Sequence, residues 1–302
     1  MTDKHPIGCH HLSSVKTAYT RLANYRIHCN PSATRNETIV FFSSNGLFNP
    51  NTNEAASAAL IEKNRFEWAA VAEYLTDFQQ IIFLRDPYKS WYVNGISLTH
   101  DSDIKIASLL RKSINSNTYH FVGSSAGGFF AMHMASLMSP STVISFAGQF
   151  DLKISLANDL NSSDPEFVSI YKPLLMRSPG YLTNYQKIYD SYSANRTRFY
   201  HFYPSLSPTD ILQVQSLPLD ILSLVRLIPL PTSNHGFLPA VYLLPSLITY
   251  LLSHDNNSNA DSYHCVLFRS ISSNLSKPRI LISPFLRWLT IKLFRLARKP
   301  YF

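Results

Sequence analysis

The sequence lacks several features that would place it in other classes of protein. Its three cysteines (Cys9, Cys29 and Cys265) are widely spaced and odd in number, so we expect neither a disulfide framework nor a zinc pattern. No run of about eighteen apolar residues occurs, so no membrane-spanning helix is predicted. The stretch from Met1 to His11 is polar and has no apolar core, so we expect a cytoplasmic protein without a secretory signal.

Acidic residues are missing from the end of the chain, where none follows Asp261. The net charge of +8 equals the number of cations in this tail, so the rest of the chain is close to neutral. The eight cations are Arg269, Lys277, Arg279, Arg287, Lys292, Arg295, Arg298 and Lys299. Because the excess charge is local, it does not predict a general nucleic-acid-binding surface, and no nucleic-acid partner is expected.

A metal site is not expected either. The residues His5, Cys9, His10 and His11 lie close together, but no carboxylate or second cysteine is placed to complete a coordination shell. We interpret residues 1–18 as a loose lead-in to the first domain.

The sequence does contain the material for one large α/β domain, since 45% of its 302 residues are hydrophobic. Short apolar runs alternate with segments of helical periodicity, which is typical of a mostly parallel sheet flanked by helices. The predicted strands are residues 25–30, 38–43, 80–85, 120–122, 142–146, 198–203 and 224–230. Helices are predicted over residues 55–78, 103–115 and 238–252, and a further helix is expected from the end of the run 123–128 to about residue 137. A helix over residues 211–216 is predicted with Asp210 as its N-terminal cap, and a turn over residues 31–37.

One motif organises this pattern. The run Gly123-Ser-Ser-Ala-Gly127 follows a predicted strand and precedes a predicted helix, the context that a G-x-S-x-G nucleophile elbow requires. Its central residue, Ser125, is therefore the candidate nucleophile. The two glycines leave room for a sharp turn, and the N-terminus of the helix offers free N–H groups to developing negative charge.

A serine nucleophile needs a base and a group that orients the base. His235 follows the last predicted strand, beside a glycine, and is the candidate base. Asp210 follows the preceding strand and is our first choice for the acid, with Asp151 as the alternative. The chain order serine, aspartate, histidine is the order found in this type of fold.

Two loops are candidates for a further part in the site. The segment Ser43-Ser44-Asn45-Gly46 follows a buried strand, so an N–H near Asn45 or Gly46 and the N–H of Ala126 are the predicted oxyanion donors. The aromatic segment 85–95 also follows a strand, and it could line a pocket or pack over the sheet edge.

The remaining segments suggest a division of the chain into residues 1–254 and 255–302. Residues 152–196 lack the strand–helix rhythm and carry several tyrosines, which predicts a lid-like insert. Residues 255–262 form a polar linker. Residues 284–298 predict a basic amphipathic helix, so residues 279–302 could contact an anionic membrane surface, a partner protein or their own domain. The inner face of the membrane is thus a candidate location.

These motifs give the chain a resemblance to the α/β-hydrolase superfamily over about residues 20–252. The segments 41–46 and 85–92 are similar to hydrolase-like proteins encoded with bacterial surface-polysaccharide genes, some of which are sugar O-acetyltransferases. The chain departs from lipases and many esterases because it has no His-Gly-Gly oxyanion motif.

The resemblance implies acyl transfer through a serine acyl-enzyme, with O-acetyl transfer to, or ester hydrolysis from, a capsular or surface polysaccharide. Acetyl-CoA is then a candidate acyl donor, and no bound cofactor is expected. A general carboxylesterase or thioesterase acting on a small acyl ester is one alternative. A non-catalytic hydrolase-like subunit of a membrane-associated biosynthetic complex is the other.

Overall fold

The structure, a computed structural model, describes residues 9, 11–159, 181–235 and 245–253. The chain divides into two compact units, Met1–His235 and Gly236–Phe302. The second unit contributes one described helix, Pro245–Ser253. The predicted linker and basic tail lie outside the described residues, as does the start of the predicted helix 238–252. No helix in the described part of the chain is both long and apolar enough to cross a membrane.

The first unit is built on a single sheet of seven strands in the order β1-β3-β2-β4-β5-β6-β7. The strands are β1 Tyr25–Cys29, β2 Arg35–Phe42, β3 Phe78–Leu84, β4 Thr118–Ser124, β5 Thr142–Phe146, β6 Arg198–Pro204 and β7 Val225–Leu230. Only β1 runs antiparallel to its neighbour β3, and the other pairs are parallel. The predicted mostly parallel sheet is therefore confirmed.

The apolar runs of the sequence become strands because both faces of the sheet are covered. Every residue of β5 is buried, as are the last five residues of β2 and of β4. The edge strand β1 is the exception, since four of its five residues are exposed. Neighbouring aromatics in β2 serve opposite faces: Phe41 stacks on Trp68 and Phe83, whereas Phe42 packs edge-on against Phe121.

The predicted turn over residues 31–37 is wrong at its end, because β2 already starts at Arg35. The polar residues at the start of this strand satisfy one another at the sheet's end. Arg35 Nη2 lies 2.8 Å from Glu37 Oε2, and the same oxygen lies 2.9 Å from Nε2 of His120. These contacts allow charged residues to extend the strand β2 beyond its apolar run, toward its N-terminus.

The described helices of the first unit precede or connect the strands. They are α1 Ser13–Arg21, α2 Asn53–Ala56, α3 Ala69–Ala72, α4 Asp103–Ser113, α5 Ala126–Met138, α6 Leu152–Asp159, α7 Tyr185–Asn195, α8 Pro208–Gln215 and α9 Leu219–Leu222. The second unit's helix Pro245–Ser253 is α10. The prediction for α4 is confirmed to within two residues, whereas α5 already starts at Ala126, inside the glycine-bearing run that was expected to precede the helix.

The predicted helix over residues 55–78 is wrong. A π-helical segment, Ser57–Glu62, follows α2, and Asn64 then adopts a left-handed conformation with φ 42°. This conformation ends the helix, because a right-handed helix cannot continue through it. The chain resumes as the short α3, and Phe78 already belongs to β3.

Both ends of the predicted insert 152–196 are helical, while residues 160–180 lie outside the described residues. Helix α7 packs against the elbow helix α5. Asn184, just before α7, donates its side-chain amide to the carbonyl oxygen of Phe129 at 2.9 Å, and Ile188 is fully buried. Residues 184–195 therefore belong to the layer of helices that covers the sheet.

Candidate active site

The turn after β4 holds Ser125 in a rare backbone conformation, with φ 48° and ψ −117°. A residue with a side chain adopts positive φ only when its surroundings enforce it, and such strain is typical of functional sites. Here the N–H of Ser125 donates to the carbonyl oxygen of Phe146 at the end of β5, at 2.8 Å. The turn is thereby fixed to the neighbouring strand.

Two glycines make this turn sterically feasible. A Cβ atom on Gly123 would lie 2.2 Å from the carbonyl oxygen of Gly127. A Cβ atom on Gly127 would lie 2.2 Å from the carbonyl oxygen of Phe42, at the end of β2. The elbow can therefore form only with glycine at both positions. The close backbone contact at Gly127 brings the end of β2 next to the start of α5.

The structure brings Ser125, His235 and Asp210, here called the candidate triad, into one hydrogen-bonded chain. Nε2 of His235 lies 3.0 Å from Oγ of Ser125. Nδ1 of His235 lies 3.0 Å and 3.1 Å from the two carboxylate oxygens of Asp210. An ionised carboxylate can only accept, so Nδ1 carries the proton and Nε2 accepts from the serine hydroxyl.

Asp210 reaches His235 because another residue caps its helix. We expected Asp210 to be the cap, but α8 begins two residues earlier, with Pro208 in its first turn. The cap is Ser207, whose hydroxyl accepts from the N–H of Asp210 at 3.5 Å. The Asp210 carboxylate is consequently free for His235, and its side chain is 6% exposed against 42% for that of His235.

Asp151, the alternative acid, is used elsewhere. Its carboxylate accepts from the N–H of Lys153 at 2.8 Å, at the start of α6. Burial raises the pKa of Asp151 above its usual range. Its backbone is held by Gln213 of α8, whose side-chain amide accepts from the N–H of Asp151 at 2.9 Å and donates to its carbonyl oxygen at 2.8 Å. No local sequence pattern marks Gln213, which joins the helix of Asp210 to the segment after β5.

A second histidine, His201 of β6, lies near the candidate triad but has a different environment. Burial lowers the pKa of His201 to about 3. Its Nδ1 lies 3.2 Å from Oγ of Ser145, and its ring packs against Phe150. His201 therefore stays neutral at physiological pH and contacts Ser145 rather than Ser125.

The predicted oxyanion donors differ in how they are engaged. Ala126 and Asn45 are the first residues of α5 and of the 3-10 turn Asn45–Leu47, so their N–H groups have no acceptor within their own turn. The N–H of Gly46, in contrast, donates to the hydroxyl of Ser44 at 2.9 Å. Because Ser44 caps the turn and accepts from Gly46, the geometry favours Asn45 over Gly46 as the second donor, and the oxyanion role of both stays a prediction.

Glu67 is a residue of this region that sequence reasoning missed. One carboxylate oxygen accepts from the N–H of Ser44 at 2.5 Å, and the other accepts from the Ser44 hydroxyl at 2.7 Å. We had placed Glu67 in the middle of a helix, and no local pattern marks it. The contact exists because Trp68, the next residue, is buried and donates its indole N–H to the carbonyl oxygen of Phe42 at 3.1 Å.

The aromatic segment 85–95, for which two roles were open, packs beside the elbow. The buried carboxylate of Asp86 accepts from the backbone N–H groups of Tyr88, Ser90 and Tyr92 at 2.6–3.0 Å. Burial raises the pKa of Asp86 to about 6. This turn places Trp91, only 4% exposed, in one apolar cluster with the elbow residue Ala126.

The described residues also bear on metals. Among them, no group of three histidine, cysteine, aspartate or glutamate side chains is placed to hold a metal ion. The structure places a hydroxyl, an imidazole, a buried carboxylate and helix-terminal backbone N–H groups at this edge of the sheet.

A mostly parallel sheet with a serine elbow after one strand, and an aspartate and a histidine after two later strands, defines the α/β-hydrolase fold. The chain has this fold. No family model matches the sequence, and the search of curated proteins found no match either.

Solved structures with the same fold were found. The chain is similar to the capsule O-acetyltransferase of Neisseria meningitidis serogroup A, with 14% identity, a TM-score of 0.53, and coverage of 78% of this chain and 93% of that chain. A mutant of that enzyme in complex with CoA matches with 13% identity and the same TM-score, over 77% of this chain and 93% of that one. S-formylglutathione hydrolase of Staphylococcus aureus matches with 9% identity and a TM-score of 0.48, over 72% and 84%.

Proposed function

We propose that this protein is a serine acyltransferase that moves an acetyl group through an acyl-enzyme, with a bacterial capsular or surface polysaccharide as the acceptor. The observation that carries the proposal is the hydrogen-bonded chain from Ser125 through His235 to Asp210. The fold likeness to a capsule O-acetyltransferase, which spans 93% of that chain, supports the acetyl group and the glycan. The complex of that enzyme with CoA supports acetyl-CoA as the donor.

In the first half of the reaction, Oγ of Ser125 attacks the carbonyl carbon of the acetyl thioester while Nε2 of His235 takes the hydroxyl proton. The N–H groups of Ala126 and Asn45 stabilise the negative charge on the tetrahedral oxygen. Asp210 holds the imidazole in the required tautomer and stabilises its charged form. The intermediate collapses, the thiolate leaves with the proton from His235, and acetyl-Ser125 remains.

In the second half, a sugar hydroxyl attacks the acetyl-Ser125 carbonyl and gives its proton to His235. Collapse of the second intermediate forms the sugar ester, and the proton returns to the serine oxygen. If water attacks instead, acetate is released and the protein acts as an esterase. The choice between the two depends on how well the acceptor is seated and water excluded.

A fluorophosphonate probe and a small acetyl ester test the nucleophile. We expect the full chain to be labelled and to hydrolyse p-nitrophenyl acetate, and Ser125→Ala to lose both activities. Ser124→Ala is a matched control, because the Ser124 hydroxyl is buried and has no hydrogen-bond partner among the described residues. An unlabelled and inactive wild-type chain would favour a non-catalytic hydrolase-like subunit and would overturn the enzyme proposal.

Acetyl-CoA offered with and without de-O-acetylated bacterial polysaccharides separates transferase from hydrolase. A transferase releases thiol mainly when the acceptor is present and leaves acetyl groups on the glycan. Release of acetate at the same rate with and without acceptor would identify an esterase or thioesterase.

We also propose that residues 279–302 bring the protein to the anionic inner surface of the membrane. The support is sequence alone: a run without acidic residues, with apolar residues on one side of a helical projection and cations on the other, where Trp288, Ile291 and Phe294 interrupt them. Such a location would suit an enzyme whose acceptor is made at the membrane.

A further inference from the structure

A carboxylate on the segment just before α3, that of Glu67, has no part in the mechanism above. Glu67 holds one serine by two groups: its Oε2 accepts the N–H of Ser44 at 2.5 Å, and its Oε1 accepts the Ser44 hydroxyl at 2.7 Å. Ser44 is 7% exposed, and Glu67 is partly buried. Hydrogen bonds to a charged acceptor in such surroundings are stronger than those between neutral groups.

The hydrogen-bond chain continues from Ser44 into the turn that carries a candidate oxyanion donor. The Ser44 hydroxyl donates its hydrogen bond to Glu67 and, through its oxygen, accepts from the N–H of Gly46 at 2.9 Å. This arrangement caps the 3-10 turn Asn45–Leu47 and leaves the N–H of Asn45 without an acceptor inside the turn. The shape of the turn therefore depends on the direction in which the Ser44 hydroxyl points, and Glu67 sets that direction.

Glu67 is itself fixed in position relative to the elbow. Its neighbour Trp68 is 1% exposed, stacks on Phe41 at 5.1 Å, and donates to the carbonyl oxygen of Phe42 at 3.1 Å. The same carbonyl oxygen is the atom against which Gly127 packs. The strand end at Phe42 is thus in contact with both the segment that carries Glu67 and the elbow.

We infer that Glu67 is a positioning residue for the oxyanion site: through Ser44 it holds the Asn45–Leu47 turn so that the Asn45 N–H faces the Ser125 elbow. This inference rests on the proposed acyl transfer, because an oxyanion forms only there. Glu67 touches no reacting atom. Its loss lets the turn relax, and the oxyanion then keeps the Ala126 donor alone.

Kinetics of Glu67→Ala with p-nitrophenyl acetate test the inference. Removing one oxyanion donor costs about 10²–10³ in kcat, so we expect a partial misplacement to lower kcat by about 10- to 100-fold. KM should change by less than about twofold, because the interaction exists only in the transition state. The inhibition constant of phenylboronic acid, whose adduct with Ser125 is tetrahedral and anionic, should rise by about the same factor as kcat falls.

Two further variants separate positioning from general damage to the fold. Glu67→Gln offers one acceptor oxygen for two donors of Ser44, so we expect a loss between those of the wild type and Glu67→Ala, and this variant serves if the alanine variant does not fold. Glu73→Ala removes an exposed carboxylate at the end of α3 and should behave as wild type in activity and melting temperature.

A double-mutant cycle shows whether Glu67 acts through Ser44. Since both residues support one turn, Ser44→Ala combined with Glu67→Ala should be no slower than the slower single variant. Additive losses, a rise in KM at constant kcat, or wild-type kinetics of Glu67→Ala in an active enzyme would each overturn the inference alone. A wild-type chain that turns over no ester contradicts the proposed function, and the inference falls with it.

Discussion

Ser125 is held in a backbone conformation that a residue with a side chain does not favour. Its positive φ costs on the order of 1–3 kcal/mol for a residue with a side chain. Two backbone hydrogen bonds hold the turn: the N–H of Ser125 donates to Phe146 at 2.8 Å, and its carbonyl oxygen accepts from Phe129 at 2.9 Å. Its hydroxyl is consequently placed by the backbone, and only the rotation about χ1 remains to meet His235.

The choice between the two candidate acids is tested by a matched pair of variants. Asp210→Asn should lower kcat by about 10³–10⁴-fold, because an amide can donate to His235 and favour the wrong tautomer. Asp151→Asn should stay within about tenfold of wild type, since its carboxylate contacts the start of α6 instead. Steady-state kinetics on the same acetyl ester measure both. A larger loss for Asp151→Asn than for Asp210→Asn would reverse the assignment.

Helix α5 and strand β2 lie in direct backbone contact because Gly127 has no side chain. Gly127 lets the first turn of α5 lie on the end of β2, and a Cβ atom there would overlap the carbonyl oxygen of Phe42. Gly128 has a similar close approach to Ser145 of β5, at 2.7 Å from its Oγ. The elbow helix can therefore sit over the sheet only with glycines in its first turn.

Gly127→Ala should destabilise the fold despite alanine's better helix propensity. Overpacking against a backbone atom costs about 3 kcal/mol, and the propensity returns about 1 kcal/mol, which leaves a net loss of about 2 kcal/mol. Urea unfolding measures the change. Gly46→Ala is the control for stability, because its Cβ would meet side-chain atoms rather than backbone, the Ser44 hydroxyl at 3.1 Å and Oε1 of Glu67 at 3.8 Å. Equal stabilities of the Gly127 variant and the wild type would mean that α5 can shift freely.

The turn after β3 contains the buried carboxyl group of Asp86, so the stability of the folded protein should depend on pH. The pKa of Asp86 is raised to about 6 by burial, above its value of about 4 in an unfolded chain. The folded state therefore binds the proton more tightly, so this group's contribution is fully present below pH 4 and is lost as the pH rises through 6. The difference of about two pKa units corresponds to about 3 kcal/mol at most.

Chemical denaturation at pH 4 and at pH 7 checks this dependence. Asp86→Asn cannot titrate, so the stability of the wild type relative to this variant should be greater at pH 4 than at pH 7. Other groups titrate in both proteins and cancel in the comparison. A difference between the two proteins that stays constant across this range, or that grows with pH, would contradict the assignment.

For the whole molecule, the charge is divided unevenly. The residues up to Asp261 are close to neutral, and the tail beyond carries the entire excess of +8. The candidate triad lies within the first compact unit, Met1–His235. Catalysis and any attachment through residues 279–302 can therefore be tested separately.

Truncation after Asp261 tests the membrane proposal. We expect the full chain to sediment with vesicles that contain phosphatidylglycerol and to be released by salt, because each cation near such a surface contributes about 1 kcal/mol and is screened by ions. The truncated chain should stay in solution and keep its esterase activity. A full chain with Arg287, Lys292, Arg295 and Arg298 changed to Gln keeps the apolar residues of the predicted helix and removes four of its charges. It therefore separates the electrostatic contribution to binding from the apolar one. Unchanged binding after truncation would remove the proposal and favour packing on a partner or on the domain.

Patterns that span a few residues were enough to predict much of this protein. Buried strands such as β5 are continuous apolar runs, and the elbow is a glycine-bearing turn between a strand and a helix. The order of Ser125, Asp210 and His235 along the chain then placed all three at one edge of a parallel sheet. The helix over residues 55–78 was predicted wrongly, because the left-handed Asn64 interrupts a composition that favours a helix.

What the sequence by itself determined is therefore the sheet, the elbow and a short set of candidate site residues, in which Asp151 remained an alternative to Asp210, since these follow from periodicity and turn chemistry. Only the tertiary structure decided the partners of individual polar groups. It paired Ser44 with Glu67, 23 residues away, engaged the Gly46 donor, and moved the helix cap from Asp210 to Ser207. Those choices depend on which segments pack side by side, and no local pattern records the distance between residues far apart in the chain.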